Sequence, residues 1–144
     1  MKILVINGPN LNMLGIREPD IYGRGTYHEL VELIGRKSSE LEVSTEVFQS
    51  NCEGEIIDKI HDAYDDEVDG IIINAAAYTH TSIAIADALK AVSIPYVEVH
   101  ISDIDKREEY RKISYLRDQA VACISGKGFE GYIEALMIIT SLEY

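Results

Sequence analysis

At 144 residues, with 47% hydrophobic and 26% charged positions, the chain has the size and composition of one globular domain. Such a domain buries roughly 68–70% of its unfolded surface and needs no disulfide or metal staple. A formal net charge of −12 leaves no basic face for nucleic acid or an anionic membrane, so neither partner is expected.

The apolar run Ile3-Leu4-Val5-Ile6 follows Met1-Lys2 and stops at Asn7-Gly8-Pro9-Asn10. It is too short for a secretion signal or a membrane span, and a cytoplasmic protein is expected. Cys52 and Cys123 match no CxxC or Cys/His ligand spacing. They read as reduced core thiols, with no metal site between them.

Strand-like and helix-like patterns alternate along the chain, with no repeat or linker to divide it. The spacing predicts strands at Lys2–Asn7, Val43–Gln49, Gly70–Asn74, Tyr96–His100 and Ala120–Ser125. Four are Ile- and Val-rich runs, as strands covered on both faces should be; the second is more polar and reads as an edge. Thr26-x-x-Glu29 and Ser50-x-x-Glu53 both fit a capping box at a helix start. The helix after Glu53 places Ile56, Ile57, Ile60, Ala63 and Tyr64 on one stripe, leaving Asp58, Lys59 and Asp62 outward. A last helix begins near Phe129 and runs to the end. These units predict an α/β, flavodoxin-like three-layer sandwich: one domain over residues 1–144, with a five-stranded parallel sheet in the order 2-1-3-4-5.

The helix from Ile83 to Val92 carries only Asp87 and Lys90 as polar residues. A helix apolar nearly all round needs cover on both sides, which predicts a subunit interface; the alternative is an Ala-rich helix with a poor stripe.

Ligands of an open parallel sheet bind beyond the carboxyl ends of its strands. In this strand order those ends bring together Asn7 to Asn10, Asn74, and Glu98 to Ser102. Residues 8–25 form a long connection punctuated by glycines and carrying Arg17, Glu18, Tyr22 and Arg24. Connections of this length in compact domains are usually lids or binding loops. Arg17, Arg24, Lys106, Arg107, Arg111 and Lys112 place six of the 13 basic residues in the two loops at this crest. An acidic chain that gathers its cations there is built to receive a small anion.

Alternation on the fourth strand puts Glu98 and His100 on one face. A carboxylate so placed can fix the imidazole tautomer and favour its protonated form, which suits a general acid; the same spacing serves a structural pair equally well. Gly126-Lys127-Gly128-Phe129-Glu130-Gly131 matches GxGxxG but follows the last strand, so it reads as a tight turn into the final helix. Asp65-Asp66-Glu67 with Asp69 reads as a solvated loop, and His28 and His61 as surface histidines on helices.

Gly8 to Gly15, Arg17-Glu18-Pro19 and Tyr22-Gly23 resemble the opening of the type II 3-dehydroquinate dehydratases. Gln49-Ser50-Asn51, Glu53-Gly54-Glu55, Asn74 to Ser82, Glu98 to Ser102, Arg107-Glu108 and Gly126 to Tyr132 extend the resemblance over the whole chain. It implies a lyase of the shikimate pathway, serving chorismate and aromatic amino acid biosynthesis. The reaction implied is anti elimination of water from 3-dehydroquinate through an enolate, with no cofactor, no metal and no Schiff base. It further implies a homo-oligomer, a dodecamer built of four trimers.

By the same resemblance Tyr22 matches the base that removes the C2 proton, with Arg17 and Arg107 as cations favouring its phenolate. Asn10 matches the residue holding a water on the enolate oxygen, and His100, oriented by Glu98, the acid that protonates the departing hydroxyl. Asn74, Ile101 and Ser102 match the carboxylate pocket, His80 and Arg111 the ring-hydroxyl contacts, and Asp87 a contact from a neighbouring subunit. Two departures stand out. Ala75-Ala76 replaces the usual Pro-Gly, and Asp103 the usual Asn. They favour an alternative: a catalytically weak paralogue that binds a polyhydroxy carboxylate as a sensor. A flavodoxin-like electron-transfer or regulatory module is a third possibility, but the chain lacks every phosphate-binding signature it would need.

Overall fold

A computed structural model describes residues 1–16 and 18–142; Arg17, Glu143 and Tyr144 lie outside the described residues. Five strands, β1 (Lys2–Asn7), β2 (Ser44–Gln49), β3 (Gly70–Asn74), β4 (Tyr96–His100) and β5 (Ala122–Ser125), form one parallel sheet in the order β2-β1-β3-β4-β5. Every residue of β3 and β4 is buried, because crossover helices cover both faces of a parallel sheet. β2 lies at an edge and is partly open, as its polar sequence predicts.

The helices are α1 (Pro19–Tyr22), α2 (Tyr27–Glu40), α3 (Glu53–Asp65), α4 (Ile83–Val92) and α5 (Glu130–Thr140). Leu30 and Ile34 of α2 and Tyr132, Leu136 and Ile139 of α5 pack with Ile3, Val5, Ile72 and Val97 on one face. Ile56 and Ile60 of α3 and Ile85 and Leu89 of α4 pack with Leu4, Ile6, Ile71 and Ile73 on the other. The alternation of side chains along β1 and β3 thus sorts one strand's residues into two cores.

Several details differ from the sequence reading. Thr26 Oγ1 accepts from Glu29 N at 3.2 Å and caps α2 as expected. Ser50 does not cap α3: the N-cap is Cys52, and the Ser50 hydroxyl instead accepts from Cys52 N at 2.9 Å and donates to the Glu55 carboxylate. Its hydroxyl closes the turn that leads into the helix. Tyr64, in the last turn of α3, is 65% exposed, while Ile56, Ile60 and Ala63 face the sheet.

Both cysteines are exposed rather than in the core. Cys52 sits at the mouth of α3, and Cys123 lies on β5, an edge strand with no neighbour beyond it. That strand begins at Ala122 because residues 117–119 form a 3-10 turn before it. The 8–25 connection is not structureless. A 3-10 turn over Leu11–Met13 and α1 shape it, and Leu11 and Leu14 are anchored in the core.

On α4 the buried residues are Ile85, Ala88 and Leu89, whereas Ile83 is 57% exposed beside Asp87 and Lys90. One flank of this apolar helix therefore faces outward.

Pairing aligns Asn7 with Asn74, Ile73 with Glu98 and His100 with Ser125, which brings the polar strand ends to one rim of the sheet. Just beyond β1, Gly8 N donates to Asn74 O at 2.8 Å. A Cβ on Gly8 would lie 2.5 Å from the Ala75 carbonyl oxygen, so only glycine permits this approach. At Ala76 the chain turns with φ +52°, the left-handed region, and Ala76 N donates to Asn74 Oδ1 at 3.1 Å. An L side chain there costs about 1–2 kcal/mol, part of which glycine would return as lost chain entropy. Ala76→Gly should raise the unfolding free energy by about 0.5–1 kcal/mol in urea titration.

Candidate active site

The rim is organised by a phenol from the far end of the chain. Tyr132 of α5 is fully buried; its hydroxyl donates to Asn7 Oδ1 at 2.6 Å and accepts from Asn74 Nδ2 at 2.9 Å. Burial pushes this phenol well above its ordinary titration range, so it stays a donor. Asn74 has its oxygen committed to Ala76 N and one amide hydrogen to Tyr132. Its second N–H is left for the cleft it lines.

Beyond the rim lies a cleft of about 160 Å³. Asn10, Tyr22, Asn74, His80, His100, Ile101, Ser102, Arg107 and Arg111 all line it. They come from the strand ends, the 8–25 connection and the loop after β4. Asn10 takes a left-handed φ of 69°, which asparagine tolerates. Its N–H donates to Asn51 Oδ1 at 3.0 Å, and Gln49 Nε2 donates to the same oxygen at 3.1 Å. The Ile101–Ser102 segment is held by the glycine turn: Gly128 N donates to Ile101 O and Gly126 N to Ser102 O. Gly126 and Gly128 carry φ of 78° and 58° there, the left-handed geometry this turn demands.

Tyr22 ends α1 at the mouth of the cleft, and its phenolic oxygen accepts from Arg107 Nη1 at 2.6 Å. The same guanidinium lies 5.3 Å from the ring centroid. Arg111 pairs with Glu108 at 2.9 Å. Lys106 and Lys112 pair with Asp103 and Glu109. Of the basic residues expected at the crest, Arg107 and Arg111 are the two described ones that line the cleft.

The same cleft is lined by His100, whose Nε2 is 2.6 Å from Glu98 Oε1. Glu98 is fully buried, and Oε1 also accepts from Ser114 Oγ at 2.6 Å. Burial alone would push this carboxyl up, but the bond and charge of His100, the Ser114 hydroxyl and the Arg117 guanidinium hold it below its usual range. With Nε2 directed at the carboxylate, Nδ1 is the ring nitrogen left for the cleft. His80 donates Nδ1–H to the Ile113 carbonyl at 2.6 Å and lies 6.4 Å from the His100 ring. Partial burial and the nearby charges of His100 and Arg111 pull His80 down, although the Ile113 bond opposes them. The neutral ring presents Nε2 as an acceptor.

The geometry gathers every expected site residue except three. Glu98 stands behind His100, Asp87 lies on the exposed flank of α4 away from the cleft, and Arg17 falls outside the described residues. Asp103 turns from the cleft and accepts from Asp105 N at 3.1 Å as the cap of a 3-10 turn. Ala76 makes its turn despite the side chain. Neither departure closes the cleft. Tyr132 and Ser114 are the site residues that sequence reasoning missed. Their partners lie 125 and 16 positions away, at separations no local pattern reveals.

A flavodoxin-like sheet whose small polar cleft is lined by a phenol–guanidinium pair and a carboxylate-backed imidazole defines an enzyme of acid–base chemistry on a small anion. The model of the class II dehydroquinases matches residues 1–140. A 3-dehydroquinate dehydratase of Caldicellulosiruptor saccharolyticus is 59% identical over 98% of this chain and 97% of its own length. One from Clostridium acetobutylicum is 55% identical over 99% and 96%. The crystal structure of a type II dehydroquinase from Butyrivibrio crossotus superposes with a TM-score of 0.97 at 52% identity, covering 98% of both chains. The chain belongs to the class II dehydroquinase family.

Tyr132→Phe keeps the ring but strips both asparagine side chains of a buried partner. Urea denaturation should show a loss of about 1–3 kcal/mol.

Proposed function

We infer that this chain is a lyase that catalyses the anti elimination of water from 3-dehydroquinate to 3-dehydroshikimate, the third step of the shikimate pathway. The observation that carries the reading is that Tyr22, bonded to Arg107, and His100, backed by Glu98, line one cleft. The substrate's carboxylate is received by the second N–H of Asn74 and the Ile101–Ser102 segment, and its ring hydroxyls by His80 and Arg111.

The Tyr22 phenolate takes the C2 proton, and the C–H electron pair moves into the carbonyl to form the enolate. Arg107 holds the phenolate form; by resemblance Arg17 shares that task. Asn10 positions a water on the enolate oxygen, a contact that strengthens as charge develops. The enolate then returns its electrons to form the ring double bond and expels the C1 hydroxyl. His100 supplies the proton with which that hydroxyl leaves as water, and Glu98 stabilises the imidazolium until then. No lysine takes part, so no imine forms.

The family domain extends over residues 1–144, with the 8–25 connection as a lid that carries the base. The outward flank of α4 supports a closed homo-oligomer, a dodecamer of four trimers in which Asp87 reaches the cleft of a neighbour. No helix among the described residues is long and apolar enough to cross a membrane, and we place the enzyme in the cytoplasm.

Purified protein should convert 3-dehydroquinate to a product with the ultraviolet absorbance of a conjugated enone. Tyr22→Phe should lower kcat by about 10²–10⁴ with KM little changed. Near-normal turnover in that variant would move the base elsewhere. Light scattering should report a mass near twelve chains, whereas an active monomer would refute the shared site.

A further inference from the structure

One oxygen of the central carboxylate is unaccounted for. Glu98 Oε1 accepts two hydrogen bonds, but Oε2 is buried with no hydrogen-bond partner among the described residues. A bare carboxylate oxygen in the interior is costly and calls for a donor. Strand register sets Cys123 of β5 directly beside Glu98. Although that edge strand is open outside, the Cys123 sulfur comes within 4.8 Å of the Glu98 carboxylate and the His100 ring nitrogen.

Arg117, in the 3-10 turn before β5, interacts with both the Cys123 thiol and Glu98, and its own Nε is also buried without a hydrogen-bond partner. Burial and the Glu98 charge push the thiol up to about 11, so at neutral pH it keeps its proton and can donate it.

Sulfur, imidazole and carboxylate are also ligand types for zinc. Arg117 already supplies the positive charge here, however, and a dication would have to share the space with it. Hydrogen bonding accounts for the cluster better. Neither residue belongs to the motifs that carry the family resemblance.

We propose that Cys123 and Arg117 are positioning residues for the elimination: the thiol donates to Glu98 Oε2, and the guanidinium holds thiol and carboxylate in place. Glu98 thereby stays ionised and aimed at His100, and its pull on the imidazolium is moderated so that the proton can leave with the hydroxyl. The inference rests on the proposed role of His100 as the acid. The other polar or charged groups facing Glu98 are Tyr96 and His100 from β4, Ser114 from the following loop, and His80 across the cleft. β3 presents apolar Ile73 in that register. Asp105 acts on Arg117, and Asp118 on Tyr96, from farther out.

The test is the pH dependence of kcat, read by enone absorbance on the intact wild-type oligomer and on Cys123→Val, Cys123→Ser and Arg117→Met. The donor and the cation offset the charge of Glu98, so losing either leaves a more basic carboxylate that holds the imidazolium more strongly. The alkaline limb, where the acid loses its proton, should therefore move to higher pH by about half a unit in Cys123→Val and about one unit in Arg117→Met. Cys123→Ser, which restores a donor at the same place, should return the limb to its wild-type position. If Arg117→Met does not fold, the two Cys123 variants still decide the matter. A limb that stays put, or moves downward, in Cys123→Val would overturn the proposal, even with a uniform drop in kcat. A wild type without turnover would overturn the functional reading and this inference with it; an active wild type with unmoved limbs in the variants overturns the inference alone.

Discussion

A single buried hydroxyl ties the catalytic rim together. Tyr132 reaches from the last helix to the ends of the first and third strands, giving its proton to Asn7 and taking one from Asn74. Because its phenol is a donor at any ordinary pH, the direction of both bonds is fixed, and with it the orientation of the Asn74 amide. That orientation lets Asn74 Oδ1 hold the Ala76 turn and turns the remaining N–H toward the cleft. The topological switch between β1 and β3 thus becomes a polar surface of defined hand, at a place where the neighbouring side chains are otherwise isoleucine.

Electrostatics divides the cleft into two halves. On the lid side, the Arg107 guanidinium meets the Tyr22 oxygen, in a chain whose net charge is −12. On the sheet side, a buried carboxylate meets an imidazole. One half thus sets a cation against a phenol and the other an anion against an imidazole, so the two halves carry opposite charges. The low dielectric of the covered sheet strengthens the second pairing, while the first is partly open to solvent.

The sheet order, the helix positions and the Glu98–His100 face were legible because each rests on a short-range regularity: isoleucine runs, period-two alternation and helical stripes. Readings that depended on distant cover were not. Cys123 sits among apolar residues in sequence and looks like core, but β5 has no outer neighbour and leaves it open. Ser50 and Glu53 have the spacing of a cap, yet the Ser50 hydroxyl is taken by Cys52 and Glu55 before the helix begins. The crest cations were overcounted because Lys106 and Lys112 find acids three residues away, a pairing their loop made available. Tyr132 could be read only as part of an amphipathic helix, since its polar partners lie on strands more than fifty residues distant.

Tyr22 occupies the last position of a four-residue helix on the connection that lines the cleft, and Arg107 bonds its hydroxyl. In the proposed reaction, the covering segment and the base are therefore the same piece of chain. A molecule that wedges its bulk between Tyr22 and Arg107 would accordingly disarm the enzyme without competing for the carboxylate subsite, and its potency would depend on the separation it enforces rather than on mimicry of the substrate ring.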